Sequence, residues 1–149
     1  MLKIENVKKS YDGVTILDHM NLEIQEGEIV SILGPSGCGK TTLLNLILGI
    51  TDVDSGKIVY NGEDITDVPM EKRGFNIVFQ DYALFPNLNV YENITYGLKN
   101  NPDISSEEEV QELITLLDLK EHLYKRIDQL SGGQKQRVAL ARTMVMKPK

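Results

Sequence analysis

The chain has 149 residues, of which 41% are hydrophobic and 26% are charged, and these fractions are ordinary for a folded domain. Its net charge of −6 argues against nucleic-acid binding, because proteins that bind phosphate backbones are usually basic. No apolar run approaches the ~20 residues that span a bilayer, and the N-terminus has no signal-peptide pattern, so membrane association would come through a partner protein.

Three early segments alternate apolar and polar residues and are predicted to form half-buried strands: residues 2–7, 20–25 and 56–60. The dipeptide Asn61-Gly62 follows the third segment, and this pair is typical of a tight turn between antiparallel strands. We therefore expect an antiparallel β layer in the first part of the chain.

A glycine-rich loop with the sequence GPSGCGKT occupies residues 34–41. Residues 28–33 before it are predicted to form a short strand, and residues 42–48 after it a helix. Glycine permits positive φ and a close approach of the backbone, so the N–H groups of this loop can converge on an anion. The anion would lie at a helix N-terminus, where the helix dipole also favours negative charge.

The last two residues of the loop indicate that the anion is a nucleoside triphosphate with its magnesium ion. Lys40 supplies a point charge for the β and γ phosphates, and the Thr41 hydroxyl suits Mg²⁺. A chance glycine-rich turn is the simpler alternative, but strand, full consensus and helix occur together here. The only cysteine lies in this loop, which excludes an intrachain disulfide and fits an intracellular setting. The predicted nucleotide-binding residues of the loop and the helix start are Gly34, Pro35, Ser36, Gly37, Cys38, Gly39, Lys40, Thr41 and Thr42.

Two helices are predicted in the second half of the chain. The first begins near Ser106, where Ser106 and Glu109 form a capping box. Its apolar face is predicted to consist of Val110, Leu113, Ile114 and Leu117. The second covers residues 134–142, which are strongly helix-forming, and Ser131 is a favoured N-cap for it.

The sequence Leu130-Ser131-Gly132-Gly133-Gln134 decides among the nucleotide-binding families. Neither Asn-Lys-x-Asp nor Asp-x-x-Gly occurs in the chain, which counts against a GTPase. Together with the loop at 34–41, the segment resembles the signature of the ATP-binding subunits of ATP-binding cassette (ABC) transporters, and the resemblance runs from residue 2 to the last residue. The resemblance implies that residues Ser131, Gly132, Gly133 and Gln134 contact a nucleotide held by another subunit.

The resemblance also assigns roles to two residues outside the loop and the signature. Tyr11 stands where the family places an aromatic residue that stacks on adenine. Gln80 follows a strand-like run at 76–79, where the family has its Q-loop, and it would be a magnesium ligand beside Thr41. Without the resemblance, Tyr11 is simply a tyrosine at a strand edge and Gln80 a polar residue that ends a strand.

The fold that the resemblance implies is an α/β P-loop NTPase core with an antiparallel β layer and a helical subdomain. The core begins with residues 1–89, and the helical subdomain covers about residues 90–146. The family continues, after a segment like the end of this chain, into the Walker B strand, the catalytic glutamate and a switch histidine. We therefore expect an N-terminal portion of a longer, truncated nucleotide-binding domain that binds nucleotide at best by itself, with no catalytic residue of its own.

The implied function is that of an import ATPase that uses ATP and Mg²⁺. Residues 81–94 are similar to those of ATPases that import iron, polyamines, sulfate, phosphonates or sugars, and in that family this segment receives a coupling helix of the permease. The implied partners are a second ATP-binding subunit in a head-to-tail dimer, membrane permease subunits and, indirectly, a solute-binding protein, with no nucleic acid. The protein would then be cytoplasmic and peripheral on the inner face of the membrane. An ABC-type ATPase acting on nucleic acid or the ribosome is the alternative, and an inactive nucleotide-binding module is a third hypothesis.

Overall fold

The computed structural model describes residues 1–149, which form two compact units, Met1–Phe75 and Asn76–Lys149. None of its helices has the length and hydropathy of a membrane-spanning segment. The strands are β1 (Leu2–Tyr11), β2 (Val14–Ile24), β3 (Ser55–Tyr60) and β4 (Glu63–Asp64). The α-helices are α1 (Lys40–Leu48), α2 (Met70–Arg73), α3 (Val90–Thr95), α4 (Glu107–Leu116) and α5 (Gly132–Met144). Short 3-10 helices cover Tyr96–Lys99, Lys120–His122 and Ile127–Gln129.

The first unit contains one four-stranded antiparallel sheet with the strand order β2-β1-β3-β4. The three predicted strands and the turn at Asn61-Gly62 are confirmed, and both turn residues have positive φ, 49° and 81°. Strands β1 and β2 are longer than predicted because Asp12-Gly13 joins them in a tight turn, with φ of 47° and 78°. An Asp-Gly pair with positive φ at both residues matches the twist of a two-stranded hairpin.

The core of the first unit lies between the sheet and α1. Leu43 and Leu46 of the helix pack against Ile4 and Ile58 of the sheet, and all four side chains are at most 2% exposed. The remaining buried members of this cluster are Val7, Leu17 and Ile65. The sheet therefore fixes the helix that follows the glycine-rich loop.

The strands predicted at residues 28–33 and 76–79 are wrong, because both runs have no regular secondary structure. A strand is defined by hydrogen bonds to a neighbouring strand, and no strand of the chain pairs with either run. The side chains of Ile29 and Leu33 are 95% and 91% exposed. The apolar pattern therefore identified two segments, 28–33 and 76–79, that have a strand-like composition but no neighbouring strand to pair with.

Arg73, the last residue of α2, is 3% exposed and fastens the C-terminal end of α1. Its guanidinium donates hydrogen bonds to the Leu46 and Ile47 carbonyls at 2.9 and 3.0 Å, where helix carbonyls have no partner within the helix. It also donates to the carbonyls of Val68 at 2.7 Å and Thr66 at 2.9 Å. Burial lowers the pKa of Arg73, and the nearby carboxylates Asp52 and Asp67 act in the opposite direction.

We expect Arg73→Met to destabilise the first unit by about 3 kcal/mol, because four buried or partly buried carbonyls lose the hydrogen bonds of the guanidinium while the side-chain volume is largely retained. Urea denaturation measures the loss. Lys72→Met, at the exposed preceding position of the same helix, is the matched control and should change the unfolding free energy by less than about 0.5 kcal/mol. Equal midpoints for the two variants would contradict the role of Arg73 as a helix-end clamp.

In the second unit, α3, α4 and α5 surround a separate apolar core. The predicted start of α4 is confirmed: Ser106 Oγ accepts from the Glu109 N–H at 3.2 Å, and Glu109 Oε2 accepts from the Ser106 N–H at 3.1 Å. Its predicted apolar face is also confirmed, with Val110 and Ile114 buried and Leu113 and Leu117 packed at the edge. The other buried members of the core are Val90, Ile94, Leu119, Ile127, Leu130, Val138, Ala141 and Val145.

Candidate functional site

The glycine-rich loop leads directly into α1, whose N-terminus has no side-chain cap. Gly39 is the N-cap residue, with φ of 98°, and no side chain caps the helix. The first N–H groups of an α-helix have no acceptor within the helix, so those of Lys40, Thr41 and Thr42 remain available. Gly37 also has positive φ, 81°. The loop thus exposes backbone donors at the positive end of a helix dipole.

Two glycines of the loop are closely surrounded. A Cβ on Gly34 would lie 2.7 Å from the Cys38 sulfur, closer than real Cβ contacts. A Cβ on Gly39 would lie 3.0 Å from the Ile16 side chain, and the φ of Gly39 disfavours any other residue. The path of the loop therefore requires glycine at position 39, whereas a side chain at position 34 would displace the Cys38 thiol.

The ammonium group of Lys40 is held by its own loop. It donates to the carbonyl of Gly34 and, at 3.5 Å, to the carbonyl of Pro35. No carboxylate forms an ion pair with it. The loop therefore presents a cation without a fixed counter-charge beside the free amides of α1.

A cavity of about 430 Å³ lies in front of the loop. The structure brings Tyr11, the last residue of β1, to this cavity, and its side chain is 45% exposed. The Lys9 ammonium lies 5.2 Å from the centroid of the Tyr11 ring. The other lining residues are Ile16, Ser36, Gly37, Gly39, Lys40, Thr41 and Thr42, whereas Gly34, Pro35 and Cys38 belong to the loop but do not line the cavity.

The signature residues begin α5 in the second unit. Ser131 Oγ accepts from the Gln134 N–H at 3.2 Å, and Gln134 Oε1 accepts from the Ser131 N–H at 2.9 Å. A Cβ on Gly132 or Gly133 would have no atom within 4 Å, and neither glycine has positive φ. Glycine costs stability in a helix, and nothing in the chain requires it at these two positions. This helix start is therefore open for contact with something outside the chain.

Gln80 lies in an exposed turn of the second unit. The segment after it is fixed at two points that sequence reasoning missed, Asn93 of α3 and Arg142 of α5. Asn93 carried a signal, since an asparagine inside a helix is disfavoured and its side chain then often bonds to backbone. Leu84 packs against the core, whereas Phe85 is 37% exposed.

Bare amides, a lysine without a counter-ion and a glycine-rich turn at a helix N-terminus are the geometry of an anion-binding P-loop. The ABC transporter family matches residues 17–149. The chain therefore belongs to the ABC transporter family, and its fold is that of an ABC ATPase.

The chain is similar to ATP-binding proteins of import systems and to solved cassettes. It is 48% identical to the spermidine/putrescine import ATP-binding protein PotA of Haemophilus influenzae and 47% identical to that of Pasteurella multocida. Each match covers the whole chain and 41% of the relative, so the chain spans about two fifths of these proteins' length.

Two solved structures extend the likeness to three dimensions. CbiO1 of Clostridium perfringens, part of an ABC transporter complex, gives a TM-score of 0.88 at 33% identity, over 99% of this chain and 62% of that one. A dimeric bacterial ABC transporter cassette gives 0.79 at 35% identity, over 99% of this chain and 71% of that one. The same cassette is also known as a dimer in a post-hydrolysis state bound to ADP and phosphate.

Proposed function

We propose that the cavity at the glycine-rich loop binds the triphosphate of ATP. The observation that carries this proposal is the juxtaposition of an uncapped helix start, the Lys40 ammonium without an ion pair, and the half-exposed Tyr11 ring around one cavity. The amides and Lys40 would neutralise the phosphates, and Tyr11 would stack on the base. Stacking tolerates any base, so selectivity for adenine over guanine should be modest.

Magnesium fits the same site through Thr41, whose side chain lines the cavity beside Lys40. Mg²⁺ usually keeps several waters and takes one or two protein oxygens together with phosphate oxygens, so a single hydroxyl is a fitting protein donor. Gln80 is proposed as a second ligand on the resemblance alone. When bound, the ion would neutralise charge that develops on the transferred phosphoryl group.

The signature helix start is proposed to act on a nucleotide held by a second subunit. Its bare glycines and the positive end of α5 suit an approaching γ-phosphate. The dimeric cassettes to which this chain is similar support a dimer. Its head-to-tail arrangement, with Lys40 and Thr41 of one subunit facing Ser131 to Gln134 of the other, is proposed from the family resemblance. Each composite site then needs both chains, so nucleotide binding would close the dimer.

The intact protein is proposed to energise import of a solute through a membrane permease, at the inner face of the membrane. The names of the curated relatives support this function over an ATPase acting on nucleic acid or the ribosome, and they make spermidine and putrescine the first cargo to test. A solute-binding protein is the expected donor of the cargo. The permease and the binding protein select the cargo in such systems, so the residues described here do not specify it.

The test is uptake of labelled spermidine and putrescine by cells that lack the intact protein and are complemented with parent or variant genes. We expect the parent to restore uptake, Lys40→Ala to fail, and Lys57→Ala, at an exposed position of β3, to behave like the parent. Uptake that is independent of the gene would refute polyamine import. An ATPase rate that the co-expressed permease leaves unchanged would refute import altogether.

Cys38 provides a direct reporter of phosphate binding, since its thiol is free and exposed within the loop. We expect ATP and ADP to slow alkylation of Cys38 by at least about tenfold, because the loop closes around phosphate, whereas adenosine should not protect it. Alkylated protein should in turn fail to bind ATP, since an adduct would crowd the loop. Mass spectrometry of the alkylated peptide measures the rate, and an equal rate under saturating nucleotide would contradict the proposed site.

A further inference from the structure

Arg142 connects the helix that begins at the signature to the turn that follows Gln80. One terminal nitrogen of its guanidinium donates to the Ala83 carbonyl at 2.7 Å, and the other donates to the Tyr82 carbonyl at 2.9 Å. The two bonds form a fork across consecutive carbonyls, a geometry that a lysine cannot reproduce. No carboxylate forms an ion pair with Arg142. The guanidinium of Arg142 therefore bonds to the carbonyls of this turn and to no carboxylate.

The turn itself has a costly backbone. Tyr82 and Ala83 both have positive φ, 66° and 44°, although neither is glycine. Such residues cost of order 1 kcal/mol each and persist only where the surroundings hold them. The turn's own backbone bond joins the Tyr82 N–H to the Phe79 carbonyl at 2.9 Å. Arg142 lies outside this segment, and its two hydrogen bonds go to the carbonyls of the two residues with positive φ, Tyr82 and Ala83.

The guanidinium also reaches the aromatic side chain that follows the turn. Its central carbon lies 5.9 Å from the centroid of the Phe85 ring, which in turn lies 4.6 Å from the Tyr96 ring. Burial lowers the pKa of Arg142, as expected for a cation that faces carbonyls and a ring and no carboxylate. Phe85, Tyr96 and Arg142 line a cavity of about 440 Å³ together with Phe79 and other residues. Arg142 of α5 thus contacts an exposed aromatic surface directly.

The other end of the same segment is attached to a different helix. Asn93 of α3 is fully buried; its amide nitrogen donates to the carbonyls of Phe85, Leu88 and Asn89 at 3.1, 3.2 and 2.9 Å. Its oxygen accepts from the Phe85 N–H at 2.8 Å. Asn93 therefore fixes residues 85–89 to α3, whereas Arg142 is the side chain that fixes residues 82–83 to the signature helix.

We infer that Arg142 is a positioning residue that makes the Tyr82–Ala83 turn and the Phe85 surface move together with the signature helix. Pressure from a partner on the aromatic surface would then act on the Ser131 end of α5, because Arg142 lies on the same helix, eleven positions after Ser131. This inference rests on the proposed function, because it takes the permease, by the resemblance of residues 81–94 to the family, as the partner that presses on this surface. A residue that only stabilised the fold would not change how strongly the permease affects hydrolysis.

The experiment uses the intact protein reconstituted with its permease, in the parent form and as Arg142→Lys and Arg142→Gln. The matched control is Arg137→Lys, because Arg137 lies on the same helix and its nearest carboxylate, that of the exposed Asp118, is 4.0 Å away. Four quantities are measured for each protein: the ATPase rate without permease, the rate with permease, the thermal midpoint, and hydrogen exchange at the amides of residues 82–85.

We expect Arg142→Lys to lose at least about fivefold of the permease-dependent stimulation, while the rate without permease falls by less than about twofold. Exchange at residues 82–85 should rise by at least about tenfold, because the turn loses its fork, while exchange within α5 stays as in the parent. Arg142→Gln should lose as much stimulation or more. Arg137→Lys should match the parent in all four quantities.

Three results would overturn the inference. Full stimulation of the lysine variant with faster exchange at residues 82–85 would mean that the contact holds the turn but carries no coupling. A proportional loss of both rates with a lowered thermal midpoint would assign Arg142 to stability alone. A parent protein that its permease does not stimulate would refute the proposed function, and the inference with it, and that result is distinguishable because it requires no variant.

Discussion

Replacing Lys40 with alanine is expected to weaken MgATP binding by well over tenfold, more than ~1.4 kcal/mol. The Lys40 ammonium is the one side-chain cation lining the cavity, and it is held only by carbonyls of its own loop. It can therefore transfer to phosphate without breaking an ion pair. Removing it leaves the phosphates without their side-chain cation, and the partial charges of the backbone amides cannot replace a full positive charge.

Titration with a fluorescent ATP analogue measures this effect in the intact protein, and Lys57→Ala is the matched control. Lys57 lies on β3 of the same unit and is exposed, so its loss changes net charge equally without touching the cavity. The control separates local contact from a general electrostatic effect. Superimposable titration curves for Lys40→Ala and the parent would remove the loop from the nucleotide site.

Replacing Ser131 with arginine is expected to abolish ATP hydrolysis by the intact protein while sparing ATP binding. The substitution removes the hydroxyl that caps α5 and places a long cation against two glycines that are otherwise open to solvent. Because the signature would act on a nucleotide held by the other subunit, the variant's own P-loop remains complete. Binding and turnover should therefore separate.

The chain offers a matched control for the lost cap. Ser106 begins α4 with the same reciprocal capping box, so Ser106→Arg incurs the same loss of about 1 kcal/mol of helix stability away from the signature. We expect this control to hydrolyse ATP at nearly the parent rate. Equal loss of turnover in the two variants would mean that helix stability, and not contact across a dimer, explains the Ser131 effect.

Mixing the Ser131→Arg protein with the Lys40→Ala protein tests the pairing. In a head-to-tail dimer, one site of the mixed pair combines both defects, and the other combines an intact loop with an intact signature. Mixed samples should therefore recover turnover that neither variant has alone. Absence of recovery, with mixed dimers demonstrated by differential labels, would exclude a head-to-tail dimer as the working unit.

The parts of the fold that depend on local chemistry were predictable from sequence. Reciprocal bonds at Ser106 and Ser131 follow from a serine with a glutamate or glutamine three residues later, and the structure forms both. The loop at residues 34–41 also follows from local requirements, since its glycines and the helix after it are contiguous. Tyr11 was assigned to the same site only by resemblance, and the structure brings it to the cavity.

The parts that depend on distant partners were not predictable. Residues 28–33 have a strand-like composition, but a strand requires a neighbour whose position no local pattern contains. Arg142 is an ordinary helix-surface residue by its spacing, and its fork to the Tyr82 and Ala83 carbonyls bridges about sixty positions of sequence. Arg73 is likewise one of several charged residues on a four-residue helix, and its hydrogen bonds to the distant Leu46 and Ile47 carbonyls are visible only in the structure.

The hydrogen bonds from Arg73 to the end of α1 limit how the glycine-rich loop can be transplanted. Copying residues 34–48 into another scaffold would carry over the glycines, Lys40 and the uncapped N-terminus of the helix. The carbonyls at the C-terminal end of that helix would lack the hydrogen bonds that they receive from Arg73. The transferable module is therefore discontinuous: it includes the loop, its helix and an arginine placed about 25 residues later. A graft that omits this arginine should bind phosphate poorly even with every loop residue in place, because the helix that positions the amides would unwind from its C-terminal end.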